Sequence, residues 1–390
     1  MPLHPPSYTV QRVSSSRSLP RLRILLIGRQ DCPVVQGVGS IEHTILAVAD
    51  TLAREHHVTV VSCGRGAYIA NPQHRLNIDP LDDPGLYGQA TPLGVAYRVG
   101  SERFDRVAVS ATGDVPDVAL ALHADVVVAH DDPLLAIDVA LPVVFVAHSS
   151  PRFWGLAHPE RIEAALSAAS AIGATSRFLA SQVALRSLRD DVTHIPLFAP
   201  DTYLGVPLLD PHLPRVMFAS RLMASSGLVD LCALWRRQAP DAELAIVDFP
   251  SWDTPRRESD ELRSFARSTP NTRLIEPWRA QADGAKVFAS SPVLACCPID
   301  DEPSIAVVLE ARAAGCRIVG FSHPALDEAA GPFALLVPRG DHRALKEAIK
   351  EALRTVTFES RQRERASVSL SHPLSNTVAA YEALIQEATR

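Results

Sequence analysis

The sequence predicts an α/β protein built of two doubly wound, Rossmann-like halves with a cleft between them. Three observations carry that expectation. Short apolar runs rich in valine, isoleucine and leucine alternate with amphipathic helical stretches, the pattern of parallel strands covered on both faces. The first run, LRILLIG, leads through one helical stretch to HVTVVS, which makes a βαβ unit. After His194-Ile195-Pro196 the alternation starts again.

In the first half a strand is predicted at 22–28 and a helix at 39–55, where Ile41, Ile45, Val48, Ala49 and Leu52 share one face. Strands follow at 57–62, 125–129, 143–147 and 171–175. Between residues 64 and 120, turn signals such as Asp82-Asp83-Pro84-Gly85 interrupt any long period, and no element is assigned. The second half is predicted to hold strands at 215–220, 242–248, 272–276, 292–296, 317–321 and 334–337. Its helices are expected at 227–237, 256–268, 304–314 and 342–353. An N-terminal domain over 22–205 and a C-terminal domain over 206–370 result, followed by a last helix within 371–390. Val378, Tyr381, Leu384 and Ile385 are in phase on that helix. Residues 1–21, rich in proline, serine and arginine and without the apolar core of a signal peptide, are expected to be a disordered leader.

Composition narrows the function. The chain has 390 residues, 47% of them apolar, enough for two or three domains with proper cores. A net charge of −6 excludes a protein built to coat nucleic acid or an anionic membrane. No run approaches the roughly 18–20 apolar residues that span a bilayer. The six cysteines show no metal-binding or CxxC spacing, and Cys296-Cys297 reads as buried thiols at the end of a strand. A reduced, cytoplasmic enzyme fits. Of 38 basic residues only Lys286, Lys346 and Lys350 are lysine. With 31 prolines this is the codon bias of a high-GC genome of actinobacterial type. It also excludes any mechanism that needs a lysine before residue 286.

Ligands of doubly wound sheets bind at the carboxyl ends of the strands, and two facing halves make the cleft the natural site. The most informative stretch there is 298–320, PIDDEPSIAVVLEARAAGCRIVG. It reads as a strand end, an acidic turn, a helix opening near Pro303 and a stop at Gly315. Glu302 and Glu310 lie a little over two helical turns apart and project from roughly one face. Free N–H groups around Ser304 and Ile305, with the helix dipole, suit a phosphate. The spacing alone means nothing in a chain with 18 glutamates, and an acid at a helix start is commonly only a dipole partner. Its context carries the weight.

Pro-x-x-x-Glu-Pro followed by Leu-Glu-Ala-x-Ala-x-Gly-x-x-Ile-Val resembles the Glu-x7-Glu signature of retaining glycosyltransferases of the GT-B fold, family 4. The resemblance extends from residue 22 across nearly the whole chain. Gln36-Gly37-Val38-Gly39-Ser40 is similar to the family's glycine loop, and Ala129-His130-Asp131 and Val146-Ala147-His148 to its histidine-ended strands. Ala171–Ser176 and IPLFAPD (195–201) match the end of its first domain, and Ser220-Arg221-Leu222 resembles its donor-phosphate motif. GVGSIE is not a dinucleotide fingerprint, because Glu42 stands where a third glycine is needed.

The resemblance implies roles. Glu310 would bind the ribose hydroxyls of a nucleotide sugar. Glu302 would hold the transferred sugar, with the Ser304 and Ile305 amides facing its diphosphate or hydroxyls. Arg221 would neutralise the leaving diphosphate, Gly39 and Ser40 would approach it by backbone, and His148 would lie against the sugar. Each has a plainer reading: Arg221 as an interdomain arginine, His148 as a loop histidine, the glycines as a turn. The final helix is expected to cross back to the first domain, or else to sit as a terminal helix on the second.

Departures from the family pattern matter too. Ser226 stands where the family places a lysine, so one cation is missing from the expected donor site. Either another arginine substitutes, Ser226 hydrogen-bonds the phosphate, or the donor is unusual. Ser304-Ile305 replaces an aromatic-glycine pair, and Ser322-His323-Pro324-Ala325 and Asp248-Phe249-Pro250 replace glycine turns. The function expected is transfer of a sugar from a nucleotide diphosphate sugar to a small soluble acceptor, with retention, as in secondary metabolism. No cofactor or metal is required, Arg221 and helix N-termini supplying positive charge, with Asp300-Asp301 the one weak acidic pair. The alternatives are a non-catalytic nucleotide-binding subunit and a sugar-nucleotide epimerase on the same fold. Nothing in the sequence sets the oligomeric state.

Overall fold

A computed structural model describes residues 21–390 apart from 30–33, 35–38, 64–88, 92–93, 98–101, 110–111, 152–153, 155–158, 209–213, 239–240, 250–255, 276–280 and 300–304. Residues 1–20 of the expected leader, the Asp82–Gly85 turn, Gln36-Gly37-Val38, Asp300-Asp301, Glu302 and Ser304 all fall outside the described residues.

Two sheets organise the molecule. The first holds β1 (Arg23–Ile27), β2 (His57–Cys63), β3 (Gln89–Thr91), β4 (Gly94–Tyr97), β5 (Asp105–Val109), β6 (Val126–His130), β7 (Val143–Ala147), β8 (Ala171–Ala174) and β9 (Thr193–His194). Their order is β3-β4-β5-β2-β1-β6-β7-β8-β9. All pairs are parallel except β3 with β4 and β4 with β5. The second sheet holds β10 (Arg215–Arg221), β11 (Glu243–Phe249), β12 (Thr272–Ile275), β13 (Val293–Cys296), β14 (Arg317–Phe321) and β15 (Leu335–Val337). It is parallel throughout, in the order β12-β11-β10-β13-β14-β15, the 3-2-1-4-5-6 arrangement of a Rossmann sheet. Strands such as β6 and β7 are buried at every position, because helices cover both faces.

Apart from the first helix, the predicted elements are present within a residue or two of their predicted bounds. The first helix is Ser40–Leu52 rather than 39–55, because Gly39 is extended and serves as the N-cap. Between residues 64 and 120, where turn signals hide any period, lie the short antiparallel pair β3–β4 and the strand β5. Helices at Pro159–Ala168, Arg177–Ser187 and Phe358–Ser371 were not predicted, and the last shows why. Its buried positions are Arg361, Glu364 and Val368, so its inner face has no apolar period to read.

Each sheet has an apolar cluster on either face. The Leu374–Ala388 helix buries Val378, Tyr381, Leu384 and Ile385 against Ile24, Leu26, Val126 and Val144 of the first sheet, so the end of the chain completes the first core. Two strands of chain pass between the halves. They are hydrogen-bonded to each other and to that helix: Ala199 N donates to His372 O at 2.9 Å, and the Thr377 hydroxyl to Pro196 O at 2.6 Å.

Candidate functional site

Each sheet reverses its strand order beside its first strand: between β1 and β6 in one half, between β10 and β13 in the other. Such switch points leave a crevice at the carboxyl ends of the strands. Gly39 and Ser40 follow β1, and His148 follows β7. Arg221 closes β10, Ser226 lies in the turn after it, and Ile305 opens the helix after β13.

Gly39 offers no side chain to the first turn of the Ser40–Leu52 helix, so no side-chain cap is made there. A helix start in this state presents its N–H groups to an anion. Its φ of −165° is ordinary extended backbone, so conformation does not demand glycine. A Cβ there would stand 2.4 Å from Oε2 of buried Glu42, so that carboxylate, which pairs with Arg29 at 3.4 Å, would have to shift.

His148 is positioned by its backbone. Its N–H, and that of Ser149, donate to Asp131 Oδ1 at 2.7 and 3.0 Å. Asp131 adopts a left-handed conformation, φ 56°, and its Oδ2 is buried without a partner. The His148 ring lies 5.4 Å from that of His130, and its Nε2 is likewise buried without a partner. Burial, with a smaller push from the Arg29 guanidinium, lowers the His148 imidazole to about 3. The ring is therefore neutral, able to offer or accept a hydrogen bond but not a positive charge. His130 is lowered to about 3 by burial and by His148. Its Nδ1 is 2.9 Å from Ile27 O and must carry the proton, which leaves Nε2 to accept from the Tyr381 hydroxyl at 3.2 Å. The last helix thus reaches the histidine pair at the ends of β6 and β7, through the Tyr381 hydroxyl.

In the second half, β10 leads into the turn that holds Ser226. The Ser226 hydroxyl donates to Met223 O at 2.7 Å, so its proton is engaged within its own turn. Gly227 closes that turn at φ 82°, and a Cβ there would lie 1.7 Å from Cys297 O. Only glycine fits, and the contact locks the loop after β10 onto the end of β13. Asp248, in one of the altered turns, pairs with Arg263 at 2.5 Å.

Glu310 is buried on the Ile305–Ala313 helix and accepts a hydrogen bond from the Tyr203 hydroxyl. Burial raises its carboxyl to about 8 despite that bond, so it is largely protonated at neutral pH. The helix itself is fixed from its C-terminal end. Arg361 donates to the carbonyls of Gly315, Ala314 and Ala289 at 3.1, 3.2 and 2.7 Å, and Arg365 to Ala313 O at 2.8 Å. Arg312 pairs with Glu364 and donates to Ala329 O at 2.6 Å. Cations at a helix C-terminus meet both the dipole and the unpaired carbonyls. None of the three arginines stands out in the sequence, where arginine is the common basic residue.

The two halves meet in one narrow groove. Ser40, His43 and Thr44 line it from the first half, Leu197, Phe198 and Pro200 from the connecting segment, and Ala306 and Glu310 from the second. Of the predicted residues, Ser40 and Glu310 are brought together there. Outside the groove, Glu328 joins the halves by accepting from Arg177 N and Phe178 N at 2.9 and 2.8 Å. Among the described residues no group of three His, Cys, Asp or Glu side chains is arranged to hold a metal ion, and no helix is long and apolar enough to cross a membrane.

No family profile matches the chain, and no curated protein matches it in sequence. Solved structures do. A sucrose-phosphate synthase from Thermosynechococcus elongatus is similar at 16% identity and a TM-score of 0.70, covering 94% of this chain and 99% of its own. HepE from Anabaena, solved in complex with UDP and glucose, is similar at 15% identity and a TM-score of 0.69, with 94% and 100% covered. An α,α-trehalose 6-phosphate synthase from Burkholderia multivorans is similar at 15% identity and a TM-score of 0.66, with 94% and 98% covered. At such identities the likeness is one of architecture: the chain has the GT-B fold, two parallel α/β halves facing each other across a cleft.

Proposed function

We propose that the protein is a glycosyltransferase that moves a sugar from a nucleotide diphosphate sugar to a hydroxyl of a small soluble acceptor, with retention of configuration. The observation that carries this reading is the meeting of an uncapped helix start from one half and buried Glu310 from the other in one groove. That pair suits a ligand with a diphosphate at one end and sugar hydroxyls at the other. The fold is the one in which HepE was solved with UDP and glucose, which supports a nucleotide-sugar donor.

On this reading Glu310 takes the ribose hydroxyls, Gly39 and Ser40 take the diphosphate by backbone, and Arg221 faces the leaving group. Glu302, with the Ser304 and Ile305 amides, takes the transferred sugar. His148, being neutral, hydrogen-bonds that sugar and leaves charge stabilisation to Arg221 and the helix starts. Ser226 contributes its oxygen as an acceptor and the shape of its turn, not a cation. In the transfer, the bond from the anomeric carbon to the β-phosphate oxygen breaks. The acceptor oxygen bonds to that carbon on the same face, and its proton leaves with the phosphate. No metal is required, and positioning with charge stabilisation supplies the catalysis. We place the reaction in the cytoplasm, in a secondary-metabolic role.

The absence of a family lysine at Ser226 keeps one second reading in view, a nucleotide-binding subunit without turnover. One assay separates them: nucleoside diphosphate release from UDP-, GDP- and ADP-sugars, with and without a panel of small polyols and phenols. A transferase releases diphosphate only with an acceptor present. Turnover of donor alone to an isomeric sugar would make it an epimerase, and donor binding with neither outcome would leave the subunit reading.

A further inference from the structure

We propose that His43, a residue with no assigned role, forms with Glu310 a two-sided clamp on a vicinal diol, the ribose 2′- and 3′-hydroxyls of the nucleotide. The inference rests on the functional reading above and adds to it a contact from the opposite half of the molecule.

His43 sits one turn into the Ser40–Leu52 helix, with its ring 5.3 Å from that of Phe198. Its Nε2 is buried and has no hydrogen-bond partner. Buried polar atoms are almost always satisfied, so an exception calls for an explanation, and a missing ligand is one of the standard ones. His43 lines the same groove as Glu310, so a group seated there has a side chain from each half beside it. Of the other lining residues, Leu197, Phe198, Pro200 and Ala306 are apolar or offer only backbone, and the Thr44 hydroxyl donates to Ser40 O at 2.9 Å within its own helix. A polar tip from each half in one groove suits two neighbouring hydroxyls.

The protonation states agree with this. Burial lowers His43 to about 4, so at neutral pH its ring has one nitrogen that donates and one that accepts. Glu310, with one oxygen engaged by Tyr203, keeps the other for a hydroxyl. Neither partner carries a full charge that a neutral diol would leave uncompensated. Because the two side chains come from different halves, ribose binding also ties the halves together.

The test compares the best binder among UDP, GDP and ADP with its 2′-deoxy form, by titration calorimetry. A site built to hydrogen-bond a hydroxyl rejects the analogue that lacks it, so the natural protein should favour the ribo form by about tenfold or more. His43→Phe keeps a ring against Phe198 and should reduce that preference to about threefold or less at unchanged Tm. A full ribo preference in His43→Phe, or none in the natural protein, overturns the clamp. A second readout needs no variant. His43 is the only histidine in the tryptic peptide 30–54, so its C2 hydrogen exchange can be followed by mass spectrometry. The ribo form should slow that exchange and the 2′-deoxy form should not; equal slowing contradicts the proposal. If none of the three nucleotides binds at all, the functional reading fails first, and the clamp with it.

Discussion

Glu310 ties the chemistry of single residues to a measurable pH dependence. Burial lifts its carboxyl from an ordinary 4.5 to about 8, so the folded protein holds a proton that the unfolded chain releases. Folding is therefore helped most below about pH 4.5, and that contribution fades as pH rises through about 8. Glu310→Gln copies the neutral acid. Urea unfolding at pH 5 and pH 8 should show the natural protein losing up to a few kcal/mol that Glu310→Gln keeps. Equal losses in both proteins would mean that Glu310 is ionised in the fold. Ser226 gives a second residue-scale prediction. Its half-buried side chain lies in a turn pinned by Gly227, so Ser226→Lys adds a cation without moving the backbone. It should strengthen diphosphate over monophosphate binding by about tenfold, the effect of one well-placed charge-assisted hydrogen bond. No gain in a folded variant would show that another group already fills that role. Both residues can be picked out in the sequence by their place in a motif. His43 and Tyr203 cannot, because each depends on what it faces, and a sequence does not show that.

At the scale of elements, the strands could be read and several helices could not. Parallel strands buried on both faces must be apolar throughout, and VVFVA at β7 announces itself. The Phe358–Ser371 helix instead buries Arg361 and Glu364, and uses guanidinium groups to close the end of the helix that carries Glu310. Here the arginine-for-lysine bias has a structural use. One guanidinium at Arg361 reaches three carbonyls, and an ammonium has neither the span nor the planar fork to do so. Arg361→Lys should cost about 2–3 kcal/mol in urea unfolding, from carbonyls left buried and unpaired. A loss below about 0.5 kcal/mol would mean that water or another side chain replaces it. The Glu328 contact is a second element-scale device. It caps the Arg177–Ser187 helix from the opposite half, and the ring of Phe178 meets that of His323 edge-on at 5.0 Å nearby. Glu328→Ala should cost about 1 kcal/mol as a lost cap. Small-angle scattering should also find the halves further apart, because this cap is a direct bond between them. An unchanged scattering profile would leave Glu328 as a cap alone.

For the whole molecule, the alternation of strand and helix and its restart near residue 195 were enough to predict two doubly wound halves. The strand orders bear this out, with switch points in both sheets facing one cleft. The chain crosses that cleft twice, and its last helix completes the first core while Tyr381 supports His130 beneath His148. The halves are thus tied at the hinge, at Glu328 and in the groove where Ser40 and Glu310 meet. A nucleotide that binds in that groove stabilises the folded state, and at about 100 times its dissociation constant the gain is roughly 2.7 kcal/mol. The most direct test is a thermal-shift titration with UDP, GDP, ADP and dTDP on the natural protein and on Glu310→Ala. One nucleotide should raise the Tm of the natural protein by several degrees, and that rise should shrink or vanish in the variant. If no nucleotide shifts the Tm, or if Glu310→Ala responds as strongly as the natural protein, the assignment of this groove as a nucleotide-sugar site is wrong.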